Sequence, residues 1–162
     1  MKKALTFIFN LLLLLSLLCS CAQKKYSDTL DCSYITKDLQ AEMLDDQEYS
    51  YYSTEDIAFM LEDSGKFDSY SVIYSNSSDD IGEVGVFHAS SAEESMELFD
   101  DISEYIADLK TEKSSFVKNY LPEEQKKLDG ARVERFGNYV VFTVLDPNQS
   151  NAVFKEVERM LK

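Results

Sequence analysis

The residues able to do nucleophilic, acid–base or metal chemistry are few: three cysteines, at positions 19, 21 and 32, and one histidine, His88, in a chain of 162 residues. Any nucleophile–histidine–acid arrangement has to recruit His88. That residue follows Val84 and Val86 along one face of an alternating stretch, the position of a satisfied or edge-exposed strand histidine more than of a base. Carboxylates are plentiful, but neighbours such as Asp79 and Asp80 point apart on a strand and diverge on a helix. Two-carboxylate glycoside hydrolysis needs its pair roughly 5 to 9.5 Å apart across a cleft, and no pair is fixed there by spacing. Asn76, Ser78 and Asp80 imitate the first ligands of a calcium loop, yet Ile81 stands where the turn glycine belongs and Phe87 where the closing glutamate belongs. No Glu-x-x-His pair is present for a carboxylate-bridged metal centre. No catalytic residue, metal ligand set or cofactor is therefore assigned.

The cysteine with a definite chemistry is Cys21. Lys2-Lys3, an apolar run over residues 4–18 and the small residues Cys19 and Ser20 reproduce the three regions of a secretory signal. Leu18-Cys19-Ser20-Cys21 is the form that bacterial lipoprotein processing modifies. On this reading cleavage falls between Ser20 and Cys21, residues 1–20 are the signal peptide, and Cys21 carries a thioether-linked diacylglyceryl group with palmitate-type chains. Two acyl chains hold a protein on a bilayer durably where one holds it marginally, and Lys24 and Lys25 add attraction to an anionic surface. The same letters admit two other outcomes. The apolar run, shorter than the ~20 residues of a spanning helix, could be retained, or cleavage after Ala22 could release the protein without Cys21.

Net charge is −14, from 16 basic against 30 acidic residues, and loss of Lys2 and Lys3 makes the mature chain two charges more acidic. A nucleic-acid partner is excluded for want of a basic face. The acidity suits a solvated, repulsive envelope surface, with cation binding as the sharper alternative. If Cys19 leaves and Cys21 is lipidated, Cys32 has no partner in the chain, which removes a disulfide framework and a cysteine-based zinc site.

The expected elements follow from periodicity. Residues 21–34 form a polar lipidated tether, and residues 35–162 one domain. A helix over residues 35–44 precedes a second opened by Ser53 and followed by acids, with Ile57, Met60 and Leu61 on one face and Gly65 as its stop. Tyr49, Tyr51 and Tyr52 are expected to pack where their segment meets the core, with a stacking surface as the alternative. Residues 67–75 and 83–88 alternate as a hairpin. Ser91 and Glu94 form a capping box for a long helix with a stripe of Met96, Phe99, Ile102, Ile106, Leu109, Phe116 and Tyr120. Pro122 ends it. A short helix closing at Gly130, a second hairpin turning at Gly137-Asn138 and a final helix after Asp146-Pro147 complete the order. The expected fold is α+β: a four-stranded, largely antiparallel sheet of two hairpins, with the long helix and the C-terminal helix on one face.

Ser115-Phe116-Val117-Lys118-Asn119-Tyr120-Leu121-Pro122, with Ala131-Arg132-Val133 and Gly137-Asn138-Tyr139-Val140 after it, resembles the bacterial lipoprotein family catalogued as domain of unknown function 4358. The resemblance spans about residues 52–162. It implies a lipoprotein signal ahead of the domain, as the letters around Cys21 already suggest, and supplies no activity or catalytic residues. The expectation is a membrane-anchored extracytoplasmic lipoprotein of the cell envelope, a non-enzymatic domain that binds an envelope protein or cell-wall component. The alternative is a small extracytoplasmic hydrolase acting on a cell-wall or peptide substrate.

Overall fold

The computed structural model describes residues 26–44, 48–61 and 64–162. Five antiparallel strands, β1 (Tyr49–Tyr51), β2 (Ser69–Ser75), β3 (Glu83–His88), β4 (Arg132–Phe136) and β5 (Tyr139–Val144), form one sheet in the order β1-β2-β3-β5-β4. The two expected hairpins are present and lie side by side through the β3–β5 pairing, Glu83 opposite Val144 and His88 opposite Tyr139. The sheet has one strand more than the four that alternation predicts. The extra edge strand is β1, which sets Tyr49 opposite Ser75 and Tyr51 opposite Ile73. Three residues are too few for a period of two to show.

The helices are α1 (Cys32–Met43), α2 (Thr54–Met60), α3 (Ala92–Tyr120), α4 (Gln125–Gly130) and α5 (Pro147–Met160). They do not share one face of the sheet as expected: α1 and α5 cover one side, α2 and α3 the other. On the first side Ile35, Leu39, Val153, Phe154 and Val157 pack over Ile73, Val84, Val86 and Val141. On the second, Ile57, Leu98, Ile102 and Ile106 pack over Val72, Phe87, Val140 and Phe142. The reason is visible in β5, whose six residues are all buried, so both parities need a cover. Gly85 allows the α3 side to close. A Cβ there would lie 2.1 Å from Cε1 of Phe142, whose ring occupies that space.

Ser91 caps α3, its Oγ accepting from the Glu94 amide at 3.1 Å and donating to the Glu94 carboxylate at 3.2 Å. The helix has 29 residues, about 43 Å at 1.5 Å per residue, whereas a six-residue strand spans about 20 Å. It therefore outruns the sheet, and its contacts differ from the expected stripe. Leu98, Ile102, Ile106 and Val117 are buried, while Met96, Phe116 and Tyr120 are exposed. The described domain also includes residues ahead of the expected start at 35. Asp31 caps α1, which begins three residues ahead of the predicted helix, and residues 26–30 already lie on the domain. Tyr26 meets Phe136 edge to face at 5.8 Å, and the Ser27 amide donates to the Leu161 carbonyl at 2.6 Å. Gly137, the turn residue of the second hairpin, has φ +64°, and a Cβ on it would approach Tyr26 to 3.3 Å.

Candidate functional site

Strand β3 carries a titratable side chain at each end, and the two point to opposite faces of the sheet. Glu83 shares the α3 face with Gly85 and Phe87. His88 shares the α1 face with Val84 and Val86. Five residue steps at about 3.3 Å separate them by roughly 17 Å.

His88 is enclosed by acceptors. Its Nδ1 lies 2.7 Å from Asp68 Oδ1 and its Nε2 lies 2.7 Å from Asp28 Oδ1. Both partners are carboxylates, so the ring satisfies both as an imidazolium. Burial by itself lowers the His88 pKa, and the two carboxylates outweigh it and raise it. The ring also packs on Tyr139, centroids 4.7 Å apart. The second oxygen of Asp28 accepts from Asn138 Nδ2 at 3.1 Å, and Tyr139 donates its hydroxyl to the Leu30 carbonyl at 2.7 Å. Among the described residues no hydroxyl or thiol is hydrogen-bonded to the imidazole, whose two nitrogens are both engaged by carboxylates. The lone histidine is a rivet that holds residues 26–30 to the domain, and it lacks the free nitrogen a base requires.

Cys32 is buried within α1, its Sγ 3.4 Å from Ser69 Oγ. Burial pushes its thiol up to about 11, which keeps it protonated and unreactive at neutral pH. Asp80, the third oxygen of the calcium-like spacing, already has a cation: Lys127 Nζ stands 2.7 Å from it and 2.8 Å from Glu124. Backbone amides of Gly82 and Ile81 donate to those same two carboxylates at 2.6 and 3.2 Å. Burial tends to raise the Asp80 pKa, and Lys127 with the Gly82 amide brings it below the ordinary value. The ammonium thus pins the β2–β3 loop to α4. Asp38, Glu42 and Glu156 cluster on α1 and α5, where Arg159 bonds to both oxygens of Glu156 at 2.9 Å.

The Glu83 end is open. A cleft of about 770 Å³ lies between α2 and α3, within the range of small-ligand sites. The Glu83 carboxylate lies on its lining, one oxygen accepting from the Tyr52 hydroxyl at 3.1 Å and the other from Tyr105 at 3.2 Å. Burial raises the Glu83 pKa, opposed by those two phenols and by Lys113, and the net shift is upward. The same burial, with the neighbouring carboxylate, drives both phenols well above the ordinary tyrosine range, so both remain donors. Tyr105 is braced by Phe142, ring centroids 5.8 Å apart, and Tyr52 by Tyr74 at 5.2 Å. Phe59, 95% exposed, stands on the rim. Lys66 spans part of the wall, reaching Asp101 at 2.6 Å. Among the described residues six carboxylates (Asp56, Glu83, Asp101, Glu104, Asp108 and Glu112) line the cleft against two lysines, Lys66 and Lys113. Its field therefore favours a cation over an anion.

Glu83 and Tyr105 are the site residues that pattern reading passes over; Tyr52, expected to pack where its segment meets the core, lines the cleft and donates to Glu83. One signal was available. In the period-two alternation of β3, Glu83 falls on the parity of Gly85 and Phe87, a carboxylate on a core face. Cys21 and the bond between Ser20 and Cys21 lie outside the described residues. Among the described residues no helix is long and apolar enough to cross a membrane.

This is an α+β domain of helix, antiparallel sheet and helix layers, with one sealed and one open end. The chain belongs to the family described as Domain of unknown function (DUF4358), which matches residues 39–145. The match begins within α1 and ends just before α5, so it takes in the whole sheet and the cleft. No curated protein and no solved structure matches the chain.

Proposed function

We propose that the protein is a lipid-anchored domain of the bacterial cell envelope, held through Cys21 at the extracytoplasmic face of the cell membrane. In this reading it binds an envelope protein or cell-wall component through the cleft at Glu83. The supporting observation is the polarity of β3. Residues 26–30 are riveted at the His88 end, and the cleft opens at the other. A tether leaving at Tyr26 would put the cleft on the side remote from the bilayer, where an envelope partner can reach it. Feeding cells a labelled palmitate analogue tests the anchor: label and membrane association are expected in the wild type and lost in Cys21→Ser. A Cys21→Ser protein that keeps both contradicts it.

A second reading, hydrolysis of a wall-derived or peptide substrate, draws on Glu83 itself. A carboxyl biased toward its protonated form inside a cleft is what a general acid needs. It requires turnover that disappears in Glu83→Gln while the fold is kept. Turnover unaffected by that change removes the reading.

A further inference from the structure

We infer that the α3 wall of the cleft is a docking groove for a basic amphipathic peptide segment of a partner protein; this rests on the binding reading above and names its ligand class. Beside the cleft lies a second, smaller pocket of about 140 Å³, lined by Ile81, Leu109, Phe116, Leu128 and Val144 among others. Its size is close to the ~150 Å³ apolar cavity that accepts a benzene, so it has room for one large apolar side chain. The two hollows are neighbours. Glu83, Leu109 and Lys113 line both.

On α3 the matching rows run side by side. Glu104, Asp108 and Glu112 recur every fourth residue along the cleft. Tyr105 and Leu109 begin the adjoining row, and Phe116 and Tyr120 continue it past the end of the sheet. Phe116 is 50% and Tyr120 73% exposed, their rings tilted together with centroids 5.2 Å apart. An exposed aromatic pair next to an apolar pocket is a place for a partner's side chains. What selects the partner is charge: the carboxylate excess along the adjoining row complements lysine or arginine and repels an acidic competitor. A segment with one aromatic or large aliphatic side chain flanked by basic residues satisfies both hollows together, as a simple inorganic cation does not.

The test uses the full chain in phosphatidylcholine nanodiscs and a fluorescent, end-capped peptide of three lysines, one phenylalanine and one leucine, with binding to empty nanodiscs subtracted. Saturable, salt-weakened binding is expected, and the counterpart with glutamates for lysines should not bind. Phe116→Ser, and separately Asp108→Asn with Glu112→Gln, should each weaken it about tenfold. Glu93→Gln, on exposed surface at the start of α3, should leave it unchanged and controls for charge in general. No saturable binding at millimolar peptide, equal binding of the glutamate counterpart, or wild-type affinity in either groove variant overturns the groove. Loss with the carboxylate pair but not with Phe116→Ser would mean a plain cation site and also overturns it. A partner crosslinked at the cleft whose capture ignores both variants would refute the groove while the broader binding reading stands.

Discussion

The two ends of β3 solve the same problem, a titratable side chain held by two hydrogen-bonding partners, with opposite results. At His88 the partners are carboxylates from separate segments, and they favour the charged ring. At Glu83 the partners are neutral phenols, too weak to overcome burial, and the carboxyl is biased toward its uncharged form. The first arrangement uses up every polar valence and closes the surface with the chain's own amino-terminal segment. The second keeps a carboxyl within a cleft. What sets one end apart from the other is the partner supplied, since both groups are mounted on one rigid strand.

The largest effect is expected from removing the ion that frames the open end. Lys127→Met leaves Asp80 and Glu124, 8% and 12% exposed, without their cation and should cost about 3 kcal/mol in urea unfolding. The His88 ring resonances should stay in place, because that rivet is at the opposite end. Gly85→Ala comes next. Its new methyl must displace the Phe142 ring, at a cost of about 2 kcal/mol, and through Phe142 it should disturb Tyr105 and the Glu83 clamp while sparing Asp28. Side-chain NMR of the two ends distinguishes this from a uniform loosening.

The rivet itself should be pH-dependent. With its folded pKa above the ordinary 6.5, His88 contributes fully below about pH 6.5, and the contribution fades as pH rises through the folded value. Because Asp28 and Asp68 are half-exposed, about 1 kcal/mol is at stake. Hydrogen-exchange protection of the Ser27 amide should fall over that rise, and His88→Gln should abolish the pH dependence. Protection that instead increases with pH would contradict the imidazolium. The smallest effect, about 0.5 to 1 kcal/mol, belongs to Tyr105→Phe, which takes one donor from Glu83. A carboxyl titration should then show Glu83 shifted further upward, and an unchanged or lowered value would break the clamp description.

Much of this architecture was legible in the residues, and the misses have definite physical sources. Hairpins and capped helices follow local rules, so Ser53, Ser91, Gly137 and Pro147 marked their elements correctly. Face assignment is a tertiary property. The apolar run Tyr139–Val144 implies cover on both sides, whereas the expected arrangement put α3 and α5 on the same face. The α3 stripe failed at Met96, and again past Leu109, where the helix runs beyond the sheet, a length mismatch that periodicity does not express. Thus Phe116 and Tyr120 look like core residues by spacing and are surface by geometry. The partners of His88 and Cys32, namely Asp28, Asp68 and Ser69, come from distant segments and leave no local signal. Glu83 was missed because carboxylates elsewhere in so acidic a chain hide one on a core face.

The proposed anchoring fixes an orientation: the closed His88 end toward the bilayer, the open Glu83 end away from it. Paramagnetic lipid headgroups in nanodiscs carrying the lipid-modified protein measure this through relaxation of backbone amides. Strong enhancement at Gly137 and Asn138, with little at Tyr52 and Glu83, is the predicted result. Equal enhancement at both ends, the reverse order, or none anywhere would contradict it.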